Sequence, residues 1–236
     1  MNLKNIAKKL LPEAIERLIR SYYYDKEKFA LKNTEAVFSV ICHENLWQSE
    51  ESASGGGSTL QATQTIREFL PKFIEDYAIK SMLDVPCGDY NWMRYIEKKC
   101  KYIGGDIVPT IIEKNIKEYS SNDVQFRFID ITKDPLPQVD LIFCKDCFQH
   151  LSYLNVKKAI NNFKLSGSRW LLVTSYPKTI RNHDIYDGDY HPLNLFKKPF
   201  NFPKPILKIR EQSIAKDVEV DKTMYLFALA DIVVYD

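Results

Sequence analysis

The chain has 236 residues, enough for one large core with or without an added subdomain. Hydrophobic residues at 45% and charged residues at 27% are those of an ordinary globular protein. The 33 basic and 31 acidic side chains leave a formal charge of +2, which sets aside a nucleic-acid-binding face as a first reading. No run approaches the length of a membrane span and the N-terminus lacks a secretory apolar core, so a cytoplasmic location is expected. The five cysteines are irregularly spaced. Cys144-Lys145-Asp146-Cys147 forms a C-x-x-C without a second pair, so reduced thiols and no metal are expected.

In chain order, residues 2–24 read as an amphipathic helix, with Leu3, Ile6, Leu10, Ala14, Leu18 and Ile19 at helical spacing and Lys4, Lys8, Lys9, Arg17 and Arg20 between them. Such a helix caps a domain, packs in a homodimer, or lies peripherally on an anionic membrane. Residues 1–46 are expected to form an N-terminal helical extension and 47–236 the main domain. The Gly/Ser-rich stretch 49–59 follows Trp47 and precedes a helix over 60–73 capped by Ser58 or Thr59. It reads as an active-site lid or as a flexible linker.

From residue 79 onward, strands over 81–85, 102–107, 124–129, 140–144 and 170–175 alternate with helices over 92–99, 110–119 and 155–163. That alternation implies an α/β fold with a parallel sheet covered on both faces. The strands 206–211 and 224–234 have no full helix between them and would close the sheet as an antiparallel hairpin.

The chemistry concentrates at strand ends. Ser81-Met82-Leu83-Asp84-Val85-Pro86-Cys87-Gly88-Asp89 is an apolar run that closes on an acid and bends through a tight turn. The next strand ends on Asp106, 18 positions after Gly88, near the roughly 20 at which a second acid grips ribose hydroxyls. Asp130 ends the third strand, so three acids terminate three successive strands. After the fourth, Asp146 and His150 stand four apart and would share a face if a helical turn follows. A carboxylate beside an imidazole orients the ring and raises its basicity. The long loop 181–195 mixes polar and aromatic groups, a composition suited to grasping hydroxyls.

On five motifs the chain resembles the class I S-adenosylmethionine-dependent methyltransferases, and within them a bacterial subset associated with surface-polysaccharide genes. The motifs are Ser54-Gly55-Gly56-Gly57-Ser58-Thr59, Leu83-Asp84-Val85-Pro86-Cys87-Gly88-Asp89-Tyr90-Asn91-Trp92-Met93, Gly104-Gly105-Asp106-Ile107-Val108, the segment 140–151 and the segment 182–195. The resemblance spans about residues 47–205. It implies a Rossmann-like seven-stranded sheet, mostly parallel with a C-terminal antiparallel hairpin, and S-adenosyl-L-methionine as cofactor. It further implies a cofactor site formed by Trp47, Asp84, Pro86, Cys87, Gly88, Asp89, Asp106, Ile107, Asp130, Ile131 and Asp146. Asp106 would take the ribose, Ile107 one adenine face and Asp130 the adenine amino group.

Pro86 and Tyr90 stand where the superfamily's outer glycines fall, which stiffens the loop and argues against a nicotinamide-dependent oxidoreductase. The expected reaction is O-methylation of a sugar or sugar-linked metabolite, with His150 as general base and Asp146 as its orienter or a cofactor ligand. His191 is an alternative base. Tyr176, Asp184, Asp189, Tyr190 and His191 would contact the acceptor. A phosphorylated acceptor would use Lys178, Arg181, Lys197 and Lys198, and an inactive binding module is the non-enzymatic alternative.

Overall fold

The computed structural model describes residues 33–211 and 221–235. The expected helix over 2–24 lies outside them. Seven strands form one sheet: β1 (Ser81–Asp84), β2 (Lys101–Asp106), β3 (Val124–Phe128), β4 (Leu141–Cys144), β5 (Trp170–Ser175), β6 (Leu207–Arg210) and β7 (Thr223–Ala228). Their order is β3-β2-β1-β4-β5-β7-β6. The first five run parallel, while β7 is antiparallel to both β5 and β6. This is the parallel sheet with a terminal antiparallel hairpin that the strand spacing implied, in the Rossmann-like form that the resemblance implied.

Helices cover both faces: α1 (Thr34–His43), α2 (Gln64–Asp76), α3 (Pro109–Tyr119) and α4 (Tyr153–Leu165). The four residues of β4 are all buried, as a doubly covered parallel strand requires. Side chains alternate between faces with period two. Leu141 and Phe143 pack with Leu70 and Phe73 of α2, whereas Ile142 and Cys144 pack with Val156, Ile160 and Phe163 of α4.

Two helical expectations need correction. Over 92–99 there is only a single 3-10 turn, Met93–Tyr95. Trp92, Met93 and Ile96 all reach the core, and Lys98 Nζ donates to the carbonyls of Met93 (2.7 Å) and Ile96 (3.0 Å), which a continuing helix would need for its own N–H groups. The helix expected from residue 60 becomes regular only at Gln64 and runs on to Asp76. Thr59 does cap the turn ahead of it, its Oγ1 accepting from Ala62 N–H at 3.2 Å.

α1 packs Val37 and Ile41 against Leu46 and Trp47, and Phe38 reaches the main core. Thr34 Oγ1 donates to Asp187 Oδ2 at 2.8 Å. Elements from both sides of residue 46 therefore meet around the same cleft.

Phe143 is fully buried at the centre of the sheet, its ring 5.9 Å from that of Trp92. Phe143→Ala should cost about 3–5 kcal/mol of stability, read from the shift in the urea unfolding midpoint. A loss below about 1 kcal/mol would contradict the packing described.

Candidate active site

The sheet changes direction between β1 and β4, and at that switch point the carboxyl ends of the strands open a crevice. It measures about 1030 Å3 counted out to its open mouth. Asp84, Asp106, Asp130 and Asp146 all line it, with Lys145 and His150. Four carboxyl groups therefore meet at one cleft, two of them, Asp130 and Asp146, in contact with lysines.

Asp106 is the structural pivot. Its Oδ2 accepts from Gly88 N–H and its Oδ1 from Val108 N–H, each at 3.0 Å. Burial pushes its carboxyl pKa up to about 6, against these backbone hydrogen bonds. Gly88 adopts φ 55, and a Cβ there would stand 2.0 Å from Ser54 Oγ. Only glycine lets the turn and the Gly/Ser segment meet so closely. Tyr90, in the place of an outer glycine, keeps a left-handed backbone (φ 58). Its ring is packed by Tyr102, Tyr119 and Phe126 at 5.0–5.3 Å. Asp84 accepts from Tyr102 Oη–H at 2.6 Å, and burial lifts its pKa to about 7. Pro86, Cys87, Ile107 and Ile131 also line the crevice.

Asp130 lines the cleft, but its Oδ1 already accepts from the N–H and Oγ1 of Thr132, and Lys133 Nζ lies 3.1 Å from Oδ2. Burial raises its pKa, and those contacts outweigh burial and hold it below the usual value.

The Gly/Ser-rich stretch is a fixed wall. Asp89 holds it by accepting from Ser52 Oγ and Ala53 N–H, both at 2.8 Å. Glu51 Oε1 accepts from Leu60 N–H and Asn91 Nδ2. Ala53, Ser54 and Ser58 then line the cleft beside Trp47. Asp89 itself is not part of the lining, because its carboxylate faces the wall segment.

Asp146 and His150 do not share a helical face. Asp146 has φ 52 and the next turn, Phe148–His150, is 3-10. The His150 ring is oriented through Nδ1, 3.0 Å from the Asp189 carbonyl. A carbonyl only accepts, so in this contact Nδ1 carries the proton. Trp47 and Tyr190 flank the ring at centroid distances of 5.2 and 5.7 Å. The Asp146 carboxylate is instead engaged by Lys145, by Lys222 at 3.1 Å and by Gln149 at 3.2 Å. Burial raises its pKa, but the two lysines outweigh burial and hold it well below the carboxylate range.

The loop 181–195 is placed differently from expectation. Asp184 Oδ1 and Asp187 Oδ1 accept from the N–H groups of Tyr153 and Ser152 at 2.7 Å, satisfying the start of α4. His191 is buried, its Nδ1 2.7 Å from the His183 carbonyl and its Nε2 3.3 Å from that of Phe148. Burial lowers its pKa, and neither ring nitrogen faces the crevice. Tyr176 is buried behind Tyr190, in edge-on contact at 6.3 Å. Of the expected acceptor residues, Asp189 and Tyr190 are therefore the two beside His150. Residues not anticipated as cleft lining include Thr34, Phe38 and Cys42 of α1, which stand far from every motif in sequence. Among the described residues no group of three or more His, Cys, Asp or Glu is arranged to hold a metal, and no helix is long and apolar enough to cross a membrane.

Residues 83–164 match a family model described as a methyltransferase domain. The fold is similar to that of the N-methyltransferase NodS from Bradyrhizobium japonicum in complex with S-adenosyl-L-homocysteine: TM-score 0.60 and 13% identity, covering 84% of this chain and 98% of that one. It is also similar to magnesium protoporphyrin IX methyltransferase (ChlM) from Synechocystis with bound S-adenosylmethionine: TM-score 0.54 and 11% identity, over 84% and 98% of the two chains. The methyltransferase domain of bacterial CtHen1 gives 0.52 at 10% identity, over 71% and 99%. No curated protein matches the chain. Such identities speak to the fold, and the family match to the class. Residues 83–164 thus carry the match to a methyltransferase domain, and the fold around them is one that solved methyltransferases share.

Asp89→Ala removes the acceptor that holds the wall segment. Hydrogen exchange at the Ala53 and Ser54 amides should then accelerate roughly 10- to 100-fold, the equivalent of one or two charged hydrogen bonds. Unchanged protection would mean that other contacts fix the wall.

Proposed function

We propose that this protein transfers the methyl group of S-adenosylmethionine to a hydroxyl of a polar, ring-bearing acceptor, a sugar or sugar-linked metabolite, with His150 as general base. The observation that carries this reading is the orientation of His150: its Nδ1 proton is committed to the Asp189 carbonyl, and the ring lies on the wall of an acid-lined cleft. The five cysteines are free thiols, which favours a cytoplasmic enzyme.

The cleft's chemistry fits the cofactor. A carboxylate has about four lone-pair sites, and the Gly88 and Val108 N–H groups occupy one on each oxygen of Asp106, leaving the others for ribose hydroxyls. Ile107 and Ile131 offer apolar surface to a base, and Asp146 a charge to a cationic centre. Pro86 and Tyr90 occupy the positions where a dinucleotide's pyrophosphate would need glycine, which disfavours nicotinamide chemistry. Bound there, S-adenosylmethionine supplies a methyl group on a positively charged sulfur that leaves as a neutral thioether.

His150 Nε2 would accept the acceptor's hydroxyl proton, while Trp47 and Tyr190, whose rings lie 5.2 and 5.7 Å from the imidazole, give aromatic surface near it for the ring bearing that hydroxyl. The wall 52–58 and α1 limit water at the crevice, where near-attack positioning supplies most of the acceleration such a transfer needs.

His150→Gln should lower kcat by about 10²–10⁴ while leaving cofactor affinity near wild type, in assays with labelled methyl donor and a panel of sugars and nucleotide sugars. Full retained rate would remove His150 as base. Asp106→Asn should weaken S-adenosylmethionine binding roughly 10- to 100-fold by calorimetry. The pH dependence has a definite sign. The ligand's hydroxyls need the ionised carboxylate, and the pKa of Asp106 in the folded protein is raised to about 6. Affinity should therefore be steady above that value and fall by up to about tenfold per unit as pH drops below it. This limb should vanish in Asp106→Asn, and its persistence there would assign it to another group.

A further inference from the structure

Behind the wall of the cleft lies a group of charges that the reaction above leaves without a role. Glu211, just past β6, and Lys222, just before β7, reach beneath the end of β4 and meet Lys145 and Asp146. Lys145 Nζ contacts Asp146 Oδ2 and lies 3.3 Å from Glu211 Oε2. Lys222 Nζ lies 3.1 Å from Asp146 Oδ2 and 3.9 Å from Glu211 Oε2. Side-chain exposure is 0% for Glu211, 2% for Lys222, 4% for Lys145 and 18% for Asp146. The member most open to solvent is thus the acid that lines the cleft.

Stability does not account for this arrangement, because replacing buried ion clusters by apolar side chains is often neutral or favourable. What it does achieve is a carboxylate fixed at every polar atom. Asp146 N–H donates to Thr174 Oγ1 at 3.0 Å, Oδ1 accepts from Gln149 Nε2, and Oδ2 takes both lysines. Lys145 Nζ also donates to the Gly57 carbonyl at 3.0 Å. A Cβ on Gly57 would stand 2.8 Å from Asp146 Oδ2, so the wall segment closes directly on the cluster. Without Glu211 the two lysines would leave the group with surplus positive charge beside a site for a cation. With it, two ammonium and two carboxylate groups balance, and of the two members that line the cleft, Lys145 and Asp146, the carboxylate is the more exposed.

We propose that Lys222 is a positioning residue, kept in place by Glu211, which holds Asp146 as a fixed carboxylate for the positively charged methionine end of S-adenosylmethionine. This rests on the cofactor site proposed above and places the β6–β7 hairpin, which lies outside residues 83–164, in control of it. The other titratable groups near Asp146 are Lys145 and Cys147, its neighbours in sequence, with Cys144 and Asp84.

The test is calorimetric titration of the full chain with S-adenosylmethionine between pH 5 and pH 8. Lys222→Met should weaken binding roughly tenfold and steepen the loss of affinity on acidification, because Asp146 loses one of the two charges that keep it ionised. Lys222→Arg should restore most of both. Adding Lys222→Met to Asp146→Asn should cause no further loss. Where Lys222→Met fails to fold by circular dichroism, Lys222→Gln, which keeps a donor and loses the charge, carries the same expectation. Folded variants with wild-type affinity and pH profile would overturn the proposal, as would an undiminished effect of Lys222→Met in the Asp146→Asn background. A wild-type chain that binds no S-adenosylmethionine at any pH would instead overturn the reading of the cleft itself.

Discussion

Asp106 accepts one N–H from the loop after β1 and one from the turn into α3, and so joins two stretches of backbone that must diverge to open the crevice. A buried anion is tolerated only where hydrogen bonds replace the water it has lost. Here the bonds are made by the turn that the acid helps to shape, which explains why the loop stays in place although Pro86 and Tyr90 stand where glycines are usual. The same carboxylate keeps acceptor capacity toward the cleft. One group thereby serves the local fold and, in the function proposed, the recognition of a hydroxylated ligand.

Charge is distributed unevenly around this pivot. Acids end β1, β2 and the segment after β3, and the one lysine lining the cleft is bound to an acid and to the wall segment. Cationic ligands are favoured by such a layout before any specific contact is made. The hairpin that completes the sheet contributes Lys222 and Glu211 from below, so the strand order that distinguishes this sheet also feeds the electrostatics of its site. Methyl transfer asks for little covalent help from a protein, and in the function proposed that demand falls on positioning in the cleft and on His150.

The sheet was legible because its central strands are buried on both faces and read as short apolar runs; β5 has the bounds expected of it, β7 ends at Ala228 where a strand to 234 was expected, and the others differ by one residue at an end or at both. The segment after Trp92 was less legible. Its apolar residues suit a helix, but tertiary packing and the Lys98 hydrogen bonds keep it to one 3-10 turn. Asp184 and His191 looked like ligand groups because they are polar residues in a long loop. Their partners, the first N–H groups of α4 and two loop carbonyls, are set by the chain's path and not by local spacing. Lys222 and Asp146 stand 76 positions apart, so no sequence interval hinted at their contact. Strand-terminal acids are readable from pattern, whereas the groups that hold them depend on how distant elements pack.

The most direct measurement is a crystal structure of the chain with S-adenosyl-L-homocysteine. The account predicts the nucleoside in the crevice between β1 and β4, its ribose hydroxyls on Asp106 and its amino-acid end toward Asp146. A ligand bound elsewhere, or a ribose held by other groups with Asp106 still facing only Gly88 and Val108, would contradict it.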